Sequence, residues 1–297
     1  MFKIVKESKT QTEPDDYLEF TFKTSLYFAN QFRRSLLLYP EIYTFSNIKI
    51  IENTTNIENA NLITRLELLP IKHSLIKNNK NKYTIDYLFD KDYTMTELKT
   101  NIIKPEICPL ECMFGMICKG EKISVEMEIE KGIGKQHAKY HASSIPIFKN
   151  TEDTKKNSIH EISNFSYKII SVGAITPREQ CIATFEGILI RINNFEKEFN
   201  NCINNKDSNI YYLEKSDHKY KFIIEKHDDV ILYLLRSKIF ELYPQIGNVG
   251  YNIIHEFDSK YEFNIYEKSK DPIKIIMESI NDLKLMINQY LIEFKKL

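Results

Sequence analysis

Few residues in this chain have the type and spacing to do chemistry. Cys108, Cys112 and Cys118 fall in the run ICPLECMFGMIC. With His137 or His141 as a fourth ligand they make a donor set that zinc accepts. The gaps lack the tight two-residue spacing of paired zinc cysteines, and Cys118 leads into a strand-like run, so core thiols are the stronger reading. A nucleophilic cysteine needs a neighbouring base and a site that stabilises the thiolate. The sequence places neither beside these three, nor beside Cys181 or Cys202.

The stretch Lys131-Gly132-Ile133-Gly134-Lys135-Gln136-His137-Ala138-Lys139-Tyr140 combines closely spaced glycines with an imidazole. It is neither a phosphate-binding P-loop nor a dinucleotide fingerprint. With no acid or nucleophile beside His137, it reads as a structural or partner-contact loop. The acid pair Asp15-Asp16 reads as a solvated patch, and Asp228-Asp229 as charges at a helix N-terminus. No cofactor is expected.

Composition narrows the classes further. The 297 residues are 42% hydrophobic with 18 Tyr and 18 Phe, enough for about two cored domains. Forty-one basic residues balance 41 acidic ones. That argues against a protein whose main work is gripping nucleic acid, which needs a basic surface. The N-terminal run has no apolar signal core, and no stretch nears the ~18 apolar residues of a membrane span. Five irregularly spaced cysteines suit a reducing, intracellular compartment.

The positioning elements begin with a strand over 17–23, where Leu18, Phe20 and Phe22 alternate with polar positions. Thr24 or Ser25 can cap a helix whose apolar face is Leu26, Ala29, Phe32, Leu36 and Leu37, and Pro40 stops it. Asn30, Arg33 and Arg34 ride on this helix. A strand over 46–52, a polar turn at 53–56 and a short helix around 62–69 carrying Arg65 follow. From 72 the chain turns irregular, with a lysine/asparagine cluster at 77–82 and short strands expected at 82–88 and 101–103. Over 121–130, Ile123, Val125, Met127 and Ile129 alternate with polar residues, the pattern of a half-buried strand. A strand at 165–173 returns to a long helix from Pro177 to about 201, striped by Phe185, Ile188, Leu189, Ile192, Phe195 and Phe199.

After a linker at 204–208 the pattern recurs. A strand at 220–225 precedes a helix from Asp228 or Asp229 to Tyr243. Strands at 248–255 and 261–266 then lead to a long helix from Pro272, striped by Ile273, Ile276, Met277, Ile280, Leu283, Ile287 and Leu291. Arg34-Ser35 and Tyr39-Pro40 recur as Arg236-Ser237 and Tyr243-Pro244. The expected fold is α+β: two β-α-β-type units, 1–71 with 165–203 and 209–297, paired through their long helices. A β-rich insert over 72–164 interrupts the first. Ile188, Leu189, Ile192 and Phe195 are expected to meet Ile280, Leu283 and Ile287 at the seam.

The order Asn30-Gln31-Phe32-Arg33-Arg34-Ser35-Leu36-Leu37, then Glu52-Asn53-Thr54-Thr55, then Arg65-Leu66-Glu67-Leu68-Leu69-Pro70-Ile71 resembles the first dimerisation element of the α-like subunits of cellular RNA polymerases. These include the bacterial α subunit, its archaeal counterpart and the third-largest subunit of eukaryotic RNA polymerase II. The loop 131–140 resembles the Gly-x-Gly-Lys-x-His-Ala-Lys loop of the archaeal and eukaryotic members, which lies at the contact with the large β-like subunit. Residues 209–297 resemble the small archaeal partner of the α-like subunit, through Leu234-Leu235-Arg236 and Val249-Gly250-Tyr251 with His255. The family's His-Thr-Leu-Gly-Asn before Leu-Leu-Arg is replaced here by Asp229-Val230-Ile231-Leu232-Tyr233. The four-cysteine zinc site of some members lies earlier in the insert, where residues 72–107 hold no cysteine.

The resemblance implies an α-like subunit fused to its small partner, a non-catalytic platform on which two large subunits, β-like and β′-like, dock along with small polymerase subunits. DNA would be met only indirectly and a membrane not at all. Asn30, Arg33, Arg34, Arg65, Lys131, Gly132, Lys135, His137, Lys139 and Arg236 are the implied partner contacts. The aspartate triad of a polymerase active centre is missing, so the chain itself would not make the phosphodiester bond. Tandem fusion and an Asn/Lys/Ile-rich, AT-rich composition suit a large DNA virus, hence host cytoplasm and virion. The alternatives are an adaptor using the same fold for another partner and a zinc-dependent nucleic-acid-binding protein built on the cysteine cluster.

Overall fold

The computed structural model describes residues 2–7, 16–76, 82–91, 94–108, 111–144, 146–151, 161–204, 206–215, 219–255, 259–267 and 271–297. Residues 77–81 of the lysine/asparagine cluster, Asp15, and Asn205 of the linker lie outside them. The strands are β1 (Phe2–Glu7), β2 (Tyr17–Ser25), β3 (Glu41–Asn53), β4 (Lys82–Leu88), β5 (Met95–Lys99), β6 (Met113–Cys118), β7 (Lys122–Ile133), β8 (Ile147–Asn150), β9 (Ile162–Ile170), β10 (Ile210–Lys215), β11 (Lys219–Glu225), β12 (Asn248–His255) and β13 (Lys260–Tyr266). The helices are α1 (Leu26–Leu38), α2 (Asn59–Glu67), α3 (Pro177–Ile203), α4 (Asp229–Leu242) and α5 (Pro272–Lys295). Helices and antiparallel sheets mix in an α+β fold.

Two sheets share one wiring: β1-β2-β9-β8 in the first half and β10-β11-β13-β12 in the second. In each, the second strand feeds a helix, α1 or α4, and the third feeds a long helix, α3 or α5. Period-two alternation sets the buried faces. Leu18, Phe20 and Phe22 on β2 are fully buried and face the same core as Phe165, Tyr167 and Ile169 on β9. Both long helices start where the sequence places a proline. Thr176 and Glu179 form a reciprocal capping box before Pro177, and the Asp271 carboxylate accepts the Ile273 N–H at 3.1 Å.

One hydrophobic core runs through both halves. Each long helix ends on the other half's sheet. Phe199 of α3 packs 5.5 Å from Phe222 on β11. Tyr290 and Phe294 of α5 lie 4.9 Å from Phe22 and 5.6 Å from Phe20 on β2. A sheet covered by a single helix stripe leaves apolar surface in water, and the exchanged helix ends remove it at ~25 cal/mol per Å².

The structure departs from expectation where tertiary partners outweigh local pattern. Residues 41–71, expected with the first unit, lie in the insert. β3 leaves α1 and pairs along β7 from Glu41↔Ile133 to Asn53↔Ile123, in the order β3-β7-β4. Phe45, Leu62, Leu66, Leu69 and Ile71 then join Tyr83, Ile85, Val125 and Met127 in a second core. Of the expected strand at 101–103, residues 101 and 102 belong to a 3-10 turn, Thr100–Ile102, that directly follows β5 and precedes its antiparallel partner β6. Neither Thr24 nor Ser25 caps α1 through its side chain. Thr24 Oγ1 instead shares a hydrogen bond of 3.1 Å with Tyr290 Oη, binding the helix start to α5.

Candidate partner-binding surface

The sequence-nominated residues fall in three places. On α1, Arg33 donates to Asn30 Oδ1 at 3.3 Å along its own helix. Arg34 reaches across the seam to Asp229 Oδ2 at 2.9 Å and donates to Gln31 Oε1 at 3.3 Å. Arg34 is one of the implied partner contacts, and in the folded chain its part-exposed fork also spans the two halves. On α4, Arg236 donates to the Val249 carbonyl at 3.2 Å, tying helix to edge strand. On α2, Arg65 donates to the Phe114 carbonyl at 3.2 Å and joins the insert's parts.

The glycine loop is built for close approach. Lys131 and Gly132 belong to the end of β7, and Lys131 pairs with Glu41 on β3. A side chain at Gly132 would collide with the Tyr140 ring, and one at Gly134 with the Leu37 carbonyl. The Lys135 N–H donates to the Leu38 carbonyl at 3.1 Å, so the loop lies against the end of α1. His137 Nδ1 accepts the Lys139 N–H at 3.1 Å and caps a short 3-10 turn. The Lys139 ammonium pairs with Glu67 at 3.0 Å.

The loop delivers Lys135 to Asp228, which sits at the start of α4 with its side chain 8% exposed. Arg191 of α3 donates from Nε to the same carboxylate at 3.0 Å, and Tyr39 Oη donates at 3.4 Å. The Arg191 guanidinium stacks 3.8 Å from the Tyr39 ring, and a side chain at Gly187 would collide with Tyr39 Cβ. Asp228 thus joins insert, first unit and second unit at one point. Its carboxylate makes no cap bond to its own helix, because two cations and a phenol claim it. Burial presses the Lys135 ammonium below its ordinary range, with Arg191 adding to the effect, and burial likewise lowers Arg191. Burial raises the Tyr39 phenol. These groups line a cleft of about 810 Å³ with His73 and His227, whose imidazoles are also lowered by burial.

Sequence reasoning missed Arg191, Tyr39 and the role of Asp228. One signal was available: Arg191 stands between Ile188 and Ile192 in an apolar stripe, where a guanidinium needs a buried partner. At the seam, Ile188, Ile192, Ile280, Leu283 and Ile287 are buried in the shared core, Phe195 is 2% exposed, and Leu189 is partly buried against it. Tyr290 and Phe294 were not expected there as seam residues.

Among the described residues no group of three or more His, Cys, Asp or Glu is gathered to hold a metal. Cys108 is buried and its thiol is pushed up to about 12 by that burial, which suits a core residue. No helix among the described residues is long and apolar enough to cross a membrane.

No family model matches the sequence. The geometry is that of two like-wired sheet-and-helix units sharing one core, with the Asp228 ion network between them. In sequence, the chain is similar to DNA-directed RNA polymerase subunit Rpo3 of Methanocaldococcus jannaschii: 26% identical over 139 residues, 46% of this chain and 71% of that protein. The similarity supports a DNA-directed RNA polymerase subunit that partners other subunits of the enzyme.

Proposed function

We propose that this chain is the non-catalytic assembly platform of a DNA-directed RNA polymerase, carrying an α-like unit and its small partner in one polypeptide and docking the two large catalytic subunits. The carrying observation is the pairing of two like-wired units through a continuous core in a chain similar to Rpo3. A covalent linker makes such a pairing intramolecular, at an effective concentration of about millimolar. The ion network at Asp228 supports the reading, because it holds the insert against both units and so presents the loop 131–140 and the helix faces as one surface. The AT-rich composition and the fusion favour a large DNA virus, acting in host cytoplasm and virion. The test is affinity purification of the tagged chain from its native source, with identification of what co-elutes. Two large polymerase subunits in stoichiometric yield are expected. Recovery without any polymerase subunit refutes the reading and favours an adaptor for another partner.

A further inference from the structure

The two halves meet through contacts that repeat. Counted from Pro177 and Pro272, Phe195 and Phe199 of α3 match Tyr290 and Phe294 of α5. Phe199 packs on Phe222 of β11, as Phe294 packs on Phe20 of β2. Phe195 packs on His227, two residues before α4, and Tyr290 bonds to Thr24, two residues before α1. Hydrophobic burial is non-directional, so an aromatic seam that repeats in this way does not tell the unlike half from a second copy of the same half.

The polar corners of the seam do not repeat. Arg191 matches Met286 by the same count, and Asp228, the residue before α4, matches Ser25, the residue before α1. Arg191 and Asp228 line one cleft, and Met286 and Ser25 line a groove of about 710 Å³ at the other corner. The first corner holds the cations Arg191 and Lys135 from the first half and the Asp228 carboxylate from the second. At the other corner residues 24–27 carry no acid. The ammonium there, Lys238, belongs to the second half and lies 3.7 Å from Met286 Sδ. It already stands 3.1 Å from Glu241 and 3.0 Å from Asp282. Arg34 and Asp229 cross the seam in the same direction as Arg191 and Asp228. Because Arg236 matches Arg34, that pair discriminates only against two first halves.

We infer that these one-sided corners select the unlike half. Two first halves would set Arg191 and Lys135 against Ser25, with no carboxylate at either corner. Two second halves would bring Asp228 to Lys238 as a third carboxylate on one ammonium. Either like pair repeats its fault at both corners, and a charge desolvated without a partner penalises it. The unlike pair places each of these charges beside an opposite one. The competitor rejected is a second copy of this chain. The linker already favours the chain's own second half, at an effective concentration of about millimolar. The corners add a preference that persists when newly made chains are crowded together. The selectivity belongs to the seam and does not depend on the polymerase reading, so its failure leaves that reading standing.

The test uses the full chain with a protease site placed in the linker 204–208. The folded chain is cut there, taken through urea and refolded by dilution, and native mass spectrometry counts the pairs. The parent should return unlike pairs. Ser25→Asp with Met286→Arg gives the other corner its own acid and cation, so the unlike pair stays satisfied while both like pairs gain partners. Like pairs should then rise at least ~10-fold over the parent. The neutral combination Ser25→Asn with Met286→Gln should leave them at the parent level. Free formation of like pairs by the parent overturns the inference. So does a charged variant that returns no more of them than the parent, or a neutral variant that returns as many as the charged one. If the charged double variant does not refold, Met286→Arg alone decides: pairs of second halves are expected, and their absence overturns the inference. Where refolding from urea fails for the parent, the two halves are co-expressed as separate chains and the pairs are counted in the same way.

Discussion

Asp228→Asn keeps the shape of the side chain and removes the charge that Lys135 and Arg191 share. In the folded chain Asp228 is 8% exposed, Arg191 21% and Lys135 38%. Removing one partner of a buried pair costs about 3–5 kcal/mol, because the remaining charge is left desolvated. Both cations retain some access to water, which screens them, so the lower end applies, ~3 kcal/mol. At ~2–4 °C per kcal/mol for a chain of this size, the melting midpoint should fall by ~6–12 °C. Calorimetry reads the midpoint, and limited proteolysis reads whether the loop 131–140 becomes more open to cleavage. A double-mutant cycle with Lys135→Met isolates the pair and should return a coupling of about 0.5–3 kcal/mol. If Asp228→Asn melts within about 2 °C of the parent and the cycle shows no coupling, the network is not what ties the insert to both units.

Ile192→Ala combined with Leu283→Ala opens the shared core from both sides. Each truncation should cost about 2–5 kcal/mol, and both halves should melt together and early. Early melting of one half alone would mean the core is not shared. Arg34→Glu faces Asp229 with a like charge and should lower stability by about 1 kcal/mol at this half-exposed site, with Asp229→Arg restoring it. Unchanged melting with lost recovery of a large subunit would return Arg34 to the partner surface. His227 packs 5.2 Å from Phe195, and burial holds its imidazole below the ordinary 6.5. The neutral form is favoured in the folded chain, so its contribution is complete above pH 6.5 and is lost as pH falls through the lowered value. The urea midpoint of the parent should therefore drop more between pH 7 and pH 5 than that of His227→Gln. Equal drops would refute a buried, neutral His227.

Much of the architecture is legible in the sequence because it depends on short-range rules. Alternation over β2, β7 and β13 marks half-buried strands. Pro177 and Pro272 mark helix starts, and the stripes on α3 and α5 mark which faces need covering. The recurring Arg-Ser and Tyr-Pro strings point in the same direction as the repeated strand-helix pattern of the second half. The polymerase resemblance rests on the order of such strings, and the similarity to Rpo3 agrees with it at the level of a polymerase subunit.

Choices between partners distant in sequence are decided only by the tertiary structure. Nothing local tells β3 to leave α1 and lie along β7, since its alternating residues suit either sheet. A tyrosine and a phenylalanine near the end of α5 look like ordinary stripe positions until β2 is seen beneath them. Asp228 reads as a helix N-terminal charge because that is what an acid does when water is its only competitor. Folding brings Arg191, Lys135 and Tyr39 to it from three other elements, and in a site that excludes most water those partners outweigh the helix's own N–H groups. Sequence settles which residues must be buried or paired; the packing of the whole chain settles with whom, because pairing energy depends on desolvation that no local window contains.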